Sequence, residues 1–542
     1  MQGHLVLLSS CHFVIVSHLR QHRVFILWAI VALFWANLPY LVGYAASTPQ
    51  NQFGGFFLYE QDGYSYFAKM RQGAQGAWEF HLPYTSEDEY QTGGFVYPFY
   101  LLLGKLAPLG LSYPLLYHGA RLLSSLLLLI VLAKFIARFV GDRRWQVWTW
   151  GLLLFSGGWG LLISTFVDPR YVAYELIAPD AFVFSILYGT PHVIFGFALF
   201  LIWIGYTLDT LKPNQTHLAR RLIIANILGL LTALSREAYG PAFAGIFGAY
   251  LSALIIQRRK IPWREGVLVA LSCIGAGLYG VYLIYAFRSS PGLAAWSQQN
   301  AFTSPDLFDF LVGFAPLIVL AAAGLFLYFK RPQPDRSISP SRYLSFLIPW
   351  LIAGPIMAYL PIAISRRLIA GWQIPLCLFG AYALLRLIDS KVPLRRTLAV
   401  GVLAASAVSI FLIITGGTLF VTARKPSLYQ TADQLAALDW LGRSTLRGDR
   451  DVVLADWHFG NLVPIYANAR VFVGHPIETI GFKEKTAQVD RFFDPTTPEA
   501  DRQALIDRWQ ITLVVAPADR LAPPRSQIVF KQGALNIYQI TP

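Results

Sequence analysis

The sequence predicts an α-helical polytopic membrane protein of about eleven transmembrane helices, with a small C-terminal α/β domain outside the membrane. Three observations make that prediction: the composition, the spacing of apolar runs, and the alternation of basic loops between them. Hydrophobic residues fill 55% of the 542 positions and charged residues 14%, with a mean hydropathy of +0.48. A soluble domain carries roughly a quarter charged residues, so this chain lacks the groups that coat a water-facing surface. The net charge of +14 is not the footprint of a nucleic-acid binder, because Lys and Arg gather in short patches between apolar runs. Aromatic residues reach 15%, which suits interfacial belts and a groove for lipid or sugar. Cys11, Cys273 and Cys377 all precede the tail, so no disulfide framework or Cys-based zinc site is available there.

Residues 1–23 read as a cytoplasmic N-terminus. The run from Val24 to Tyr44 follows the basic pair His22-Arg23 and is longer than a signal-peptide core, so it reads as a first span and signal anchor. The shorter stretch from Leu5 to Val16 is expected at the interface. Further spans are expected near 113–137, 146–166, 181–207, 221–236, 238–256, 266–287, 308–329, 343–362, 368–388 and 397–421. Each is long enough to cross roughly 30 Å of hydrocarbon. One set of loops carries Arg20/Arg23, Lys134/Arg138/Arg143/Arg144, Lys212/Arg220/Arg221 and Arg258/Arg259/Lys260/Arg264. It continues with Lys330/Arg331/Arg336/Arg342 and Arg386/Lys391/Arg395/Arg396. This set outnumbers the basic residues of the opposing loops by about three to one, so its side is cytoplasmic. A transmembrane domain over 24–421, with a long outer loop at 45–97, and an extracytoplasmic domain over 422–542 follow, in a plasma or inner membrane.

The loop 45–97 is acidic, with Glu60, Asp62, Glu79, Glu87, Asp88 and Glu89 against Lys69 and Arg71. Loops this long are disproportionately functional. From Asp62 to Gln75 the pattern suits a short helix lying along the membrane, its aromatic residues toward lipid. Asp62, Tyr66 and Lys69 stand at i, i+4 and i+7 and share one face of that helix. A carboxylate there is placed to take a proton from an acceptor hydroxyl; the alternative is that Asp62 caps the helix.

Other outer segments bring charge to the same surface. Asp168, Arg170, Glu175 and Asp180 precede the fourth span and His192 stands within it. Arg236-Glu237 occupies the outer turn between the fifth and sixth spans. Charges at such depth are functional candidates unless they are paired; a tight exposed turn is the alternative for Arg236-Glu237, and helix packing for His192. Ser365-Arg366-Arg367 runs against the positive-inside trend. Guanidinium groups make bidentate contacts with phosphate at any relevant pH, so Arg366 and Arg367 are placed to hold a lipid phosphate; snorkelling to phospholipid headgroups is the alternative. No P-loop, HExxH, GxSxG or DNA-binding motif is present.

Residues 427–542 alternate helix and strand patterns. Helices are expected over 431–441 and 498–509 with a turn at 461–466; strands are expected over 451–455, 470–474 and 511–516. A terminal hairpin is expected around Gln532-Gly533. Asp456-Trp457-His458-Phe459-Gly460 and Gly474-His475-Pro476 follow strand ends, where open α/β sheets place ligands such as an acceptor sugar. Ordinary strand-to-helix connections are the alternative.

This pattern resembles the GT-C superfamily of membrane glycosyltransferases, mannosyltransferase-like enzymes that use polyprenyl-phosphate-linked sugars. Glu60-Gln61-Asp62 matches the Glu-x-Asp form of the family's first-loop motif, and the resemblance extends to the architecture of nearly the whole chain. It implies a hexosyl- or pentosyltransferase with Asp62 as catalytic base and Glu60 as its support or a metal ligand. Arg366 and Arg367, with Arg236, would hold the carrier phosphate. Lys69, Tyr66, Asp168, Glu175, Asp180, His192 and Glu237 become donor or acceptor contacts. The implied partners are a polyprenyl-phosphate-sugar donor, membrane lipids and a glycan, glycolipid or protein acceptor, with no nucleic acid. No cofactor is required by the motif set, and Mg or Mn is the divalent ion such a site would use. No second-loop Asp-x-Asp is present, which argues against metal dependence of the oligosaccharyltransferase kind. The tail lacks a WWDYG-like motif, which argues against N-glycosylation of sequons. Two readings of other classes compete: a lipid-linked-glycan transporter or flippase, and a non-catalytic envelope-assembly subunit. A transporter should carry inverted repeats and midplane charges, and the sequence has no internal repeat.

Overall fold

The computed structural model describes residues 2–90, 93–300, 303–330, 344–444 and 451–541. Among these, nine helices are long and apolar enough to cross a membrane, from Arg23–Ala45 to Pro393–Thr422. A tenth span forms if Trp263–Ser272 and Ile274–Ser289, bent by 53°, cross together. The eleventh expected span falls short. It is the helix Leu344–Ala358, 15 residues with Pro349 and Pro355 inside it, and it spans only roughly 22 Å at the α-helical rise. The span expected over 181–207 also starts later, at Pro191, because Gly189 separates it from the short helix Val183–Tyr188. The basic patch Arg331/Arg336/Arg342 lies outside the described residues, as do the side chains of residues 5–16, Arg20 and Asp88.

Two features of the first loop position the site. The helix Glu60–Ala74 (the loop helix) crosses Pro98–Gly104 almost backbone to backbone. A Cβ on Gly73 would fall 2.0 Å from the Leu101 carbonyl oxygen, and one on Gly104 1.9 Å from that of Met70. Glycine on both helices permits this approach. The loop helix also differs from its expected orientation, since Tyr64 and Phe67 are buried rather than turned to lipid. They pack in one core with Leu438, Phe459 and Val463 of the tail, which covers the face that the sequence alone leaves unpartnered.

The tail holds a mixed five-stranded sheet. Its order is Arg470–Val471, Val452–Leu454, Leu513–Pro517, Leu535–Ile540 and Ser526–Gln532, with the first three strands parallel and the last two antiparallel. Alternation along the strands sends Val453, Leu513 and Val515 into the core shared with the loop, and Val452, Val514 and Ala516 to the opposite face. Helix Phe482–Phe492, absent from the sequence expectations, covers that second face together with Glu499–Trp509. Asn51–Phe53 pairs antiparallel with Tyr429–Thr431. Loop and tail are therefore joined by strand pairing as well as by apolar packing.

Candidate active site

Asp62 is the third residue of the loop helix, whose N-cap is Tyr59 with no side-chain cap bond. The capping alternative is thus not what the carboxylate does. Asp62 Oδ1 lies 3.1 Å from His475 Nε2, in the loop after strand Arg470–Val471. His475 Nδ1 accepts the backbone N–H groups of Ile477 and Glu478, each at 3.2 Å. An acceptor at Nδ1 fixes the ring proton on Nε2, so the ring donates to Asp62 as a neutral imidazole. Burial pushes the Asp62 carboxyl up, but the His475 hydrogen bond, with the fields of Lys69 and Arg367, outweighs it and holds the group below its ordinary value. Its side chain remains 42% exposed, so it is ionised and accessible.

Lys69, two turns along the same face, is buried and bonds Glu478 Oε1 at 2.7 Å. Ser65 bridges the pair, donating to the same oxygen at 2.6 Å and touching Lys69 Nζ. The ammonium also stands 4.6 Å and 4.7 Å from the ring centroids of Phe80 and Tyr97. Two residues of one tail loop, His475 and Glu478, thus seat the loop helix at two points.

The transmembrane helices supply the remaining charges. Arg236 bonds Asp180 at 2.5 Å, and Tyr239 donates to the same carboxylate at 2.8 Å. Arg367 bonds Glu237 at 2.7 Å. Arg367 is therefore held by a protein carboxylate rather than left to snorkel, and Arg236-Glu237 is not a free turn. Arg366 lies within electrostatic reach of Tyr59 and Asp180, and Tyr59 of Asp62. Four carboxylates (Asp62, Asp180, Glu237, Glu478) thus share one end of the bundle with four cations (Lys69, Arg236, Arg366, Arg367). Two donors in this cluster, Arg236 Nε and the Tyr59 hydroxyl, are buried without an acceptor. Tyr66 stacks on Tyr100 at 4.2 Å, and the Tyr100 hydroxyl meets His192 Nδ1 at 2.7 Å. His192 therefore steadies the aromatic platform beside the charges. Tyr59 and Tyr97 both start their helices at φ 53°, a left-handed conformation that is costly for a bulky residue and that clusters at functional sites.

Three sequence-derived candidates stand apart. Asp168 pairs with Arg170 in an exposed turn. Glu175 is buried away from the cluster, accepting from Gly160 N at 3.0 Å and Ser409 Oγ at 2.9 Å, contacts at the interruption between helices Arg143–Phe155 and Gly160–Phe166. Glu60 lines a different cleft, on the other face of the loop helix from Asp62. Conversely, Glu478, Tyr59 and Tyr97 lie outside the sequence-derived set, and His475 entered it only as part of a strand-end loop, not as a partner of Asp62. The sequence signal for His475 and Glu478 is Gly474-His475-Pro476 at a strand end.

The donor set does not fit a divalent cation. Among the described residues no three His, Cys, Asp or Glu group as metal ligands; Glu60 diverges from Asp62, and Asp180 is occupied by Arg236 and Tyr239.

No protein-family model and no curated protein matches the chain. Solved structures do. The oligosaccharyltransferase of Archaeoglobus fulgidus, tethered to an acceptor peptide containing the NVT sequon, aligns with a TM-score of 0.51 at 16% identity. The alignment covers 92% of this chain and 70% of that one. The same enzyme with Zn and sulfate aligns with a TM-score of 0.51 at 15% identity, over 91% and 68% of the two chains. ArnT of Cupriavidus metallidurans in the apo state covers 95% of this chain and 97% of its own, at 13% identity and a TM-score of 0.49. These structural neighbours are GT-C glycosyltransferases, and at such identity the likeness to the Archaeoglobus enzyme shows the fold alone: the chain is a helical polytopic membrane protein of GT-C-like architecture.

Proposed function

We propose that this chain is a GT-C-type glycosyltransferase, moving one hexosyl or pentosyl unit from a polyprenyl-phosphate-linked donor to an extracytoplasmic glycolipid, glycan or protein acceptor. The observation that carries the reading is the convergence of an ionised, accessible Asp62 with three arginines, one of which has a buried N–H lacking a protein acceptor. Asp62 takes the proton of the acceptor hydroxyl. The acceptor oxygen bonds to the anomeric carbon, and the bond from that carbon to the phosphate oxygen breaks. The polyprenyl phosphate leaves with the electron pair, and guanidinium groups stabilise its added charge without protonating it. One displacement inverts the anomeric centre. In this reading the site end of the bundle faces outward, where the donor sugar has already been carried across the membrane.

The test is sugar release and transfer by purified protein in nanodiscs, using a panel of radiolabelled polyprenyl-phosphate sugars with extracted lipids and glycans as acceptors. Transfer by the wild type that is lost in Asp62→Asn supports the reading. Equal rates in both proteins would remove Asp62 from the chemistry. Donor translocation without transfer would favour the transporter.

A further inference from the structure

The end of the bundle opposite Asp62 holds a second cleft. Helix Tyr239–Arg258 runs between the two ends: Tyr239 bonds Asp180 in the charge cluster, and Arg258 closes the far end. Beside that far end lies a cleft of about 1200 Å³, ample for a ligand-sized molecule. Leu254, Ile256, Phe329, Ile348 and Ile352 give it apolar walls, and Ile256, Phe329 and Ile352 are exposed. The walls belong to Tyr239–Arg258, Leu307–Phe329 and Leu344–Ala358, the first two long and apolar enough to span a membrane. The cleft therefore opens at membrane depth, and its occupant comes from the bilayer. From Arg258 to Ala249, both of which line it, the wall descends roughly 13 Å at the α-helical rise. That is about half of the roughly 30 Å of hydrocarbon in a bilayer. The cleft suits the acyl chains of one leaflet rather than a chain that crosses both.

The mouth is basic. Arg258 and Arg264 line it, and Glu265 is the one acid among its described residues. Glu265 is already engaged by Arg258 at 2.8 Å. Arg264 donates to the carbonyls of Leu211 and Lys212, each at 3.0 Å. Those bonds fix its guanidinium at the rim and leave N–H groups over from the five it carries. Arg259 and Lys260 are exposed alongside, and Trp263, 71% exposed, is placed as an interfacial anchor. An excess of cations above an apolar cleft complements an anionic headgroup above acyl chains. We infer that this cleft binds an anionic diacyl phospholipid, its acyl chains between the walls and its phosphate and acidic headgroup against Arg258 and Arg264. The site shares no residue with the Asp62 cluster and stands whether or not the chain transfers sugar.

The experiment is native mass spectrometry of the delipidated full chain, released from detergent micelles and titrated with dioleoyl phosphatidylglycerol and, in parallel, dioleoyl phosphatidylcholine. Wild type and Asp62→Asn should both retain phosphatidylglycerol, about tenfold more tightly than phosphatidylcholine, as expected for one charge-assisted contact. Arg258→Ala/Arg264→Ala should abolish that preference. Ser252→Trp fills the cleft from an exposed lining position, so it disturbs folding least. It should weaken both lipids about tenfold or more with the mouth charges intact. Arg395→Ala/Arg396→Ala removes two cations from the same end of the bundle but outside the cleft. This pair should bind both lipids as wild type does, which separates a site from the general attraction of a basic surface. The inference is overturned if the wild type retains no lipid or holds the two lipids equally. It is also overturned if the Arg258/Arg264 and Ser252 variants bind as wild type does, or if the Arg395/Arg396 variant loses as much preference as the Arg258/Arg264 variant. A protein that transfers sugar yet fails this titration would lose the lipid site and keep the catalytic reading; one that binds but never transfers would do the reverse.

Discussion

Replacing Lys69 by methionine, a side chain of similar length, removes one charge from a pair that is 1% and 6% exposed. At 2.7 Å and an effective dielectric of about 20, the two charges attract by roughly 6 kcal/mol. Taking both ions out of water costs several kcal/mol each, so the intact pair contributes little net stability. Breaking it is another matter, because the remaining charge stays buried. Lys69→Met leaves the Glu478 carboxylate with Ser65 and no cation, and Glu478→Gln leaves the ammonium among the rings of Phe80 and Tyr97. Each single change is expected to cost about 3–5 kcal/mol. The double variant Lys69→Met/Glu478→Gln should cost less than the sum, with a coupling of about 2 kcal/mol or more. Equilibrium unfolding in denaturing detergent, followed by tryptophan fluorescence, measures all four corners. Because Glu478 is three residues from His475, turnover should fall in both single variants and recover in part in the double. Single costs below about 1 kcal/mol, or strictly additive costs, would mean that the pair does not fasten the tail to the loop helix.

Three further outcomes follow from the same cluster. Asp62→Asn should lower transfer by about 10²–10⁴-fold, the usual worth of a positioned base, while donor affinity in a filter-binding assay stays near wild type. Arg236→Ala strands the buried Asp180 carboxylate and should both destabilise the protein by about 3–5 kcal/mol and raise the KM for donor; Arg236→Ala/Asp180→Asn should regain stability without regaining donor affinity. Chelation with EDTA should leave the transfer rate unchanged, because the carboxylates near Asp62 do not converge as ligands, and a rate restored only by Mg or Mn would contradict that geometry.

Local spacing made part of this site legible. The i, i+4, i+7 placement of Asp62, Tyr66 and Lys69 survives in the loop helix, and the contrary position of Arg366-Arg367 marked the end of the bundle where charges gather. Partners that are distant in the chain were not legible, because no local pattern encodes them: Arg367 and Glu237 are 130 residues apart, and His475 and Asp62 413 apart. The same limit explains the inverted face of the loop helix. Its Tyr and Phe residues suit lipid as well as protein, and only the tail's Leu438 and Phe459, far along the chain, decide between them. Helix Phe482–Phe492 did carry a local signal, with Phe482, Lys485, Val489 and Phe492 on one face, but the acidic and basic residues between them masked it. Asp168 and Glu175 lie apart from the cluster: the first pairs with a neighbour two residues away, and one oxygen of the second accepts from a backbone N–H and a serine.

The choice of histidine opposite Asp62 has a chemical consequence that can be measured. A lysine or arginine at 475 would orient the carboxylate equally well, but its fixed charge would also lower the carboxylate's proton affinity and weaken it as a base. His475 donates as a neutral ring, since its Nδ1 is occupied by two backbone N–H groups. The described bonds engage Oδ1 alone, leaving the second oxygen for an acceptor hydroxyl. The base works when ionised, so turnover should rise with pH through the depressed pKa of Asp62 and hold above it. The stability that the carboxylate contributes runs the same way, present above its unfolded value and lost as pH falls through the folded one. In His475→Ala, burial is opposed only by the more distant Lys69 and Arg367, so the acid limb of the rate profile should move to higher pH. His475→Gln, which restores an N–H donor, should return the limb toward wild type. His475→Lys should carry the limb lower still and also reduce the plateau rate, which a merely structural role for residue 475 would not do. If the alanine, glutamine and lysine variants share one limb and differ only in the amount of folded protein, His475 fastens the tail to the loop helix and does not tune the base.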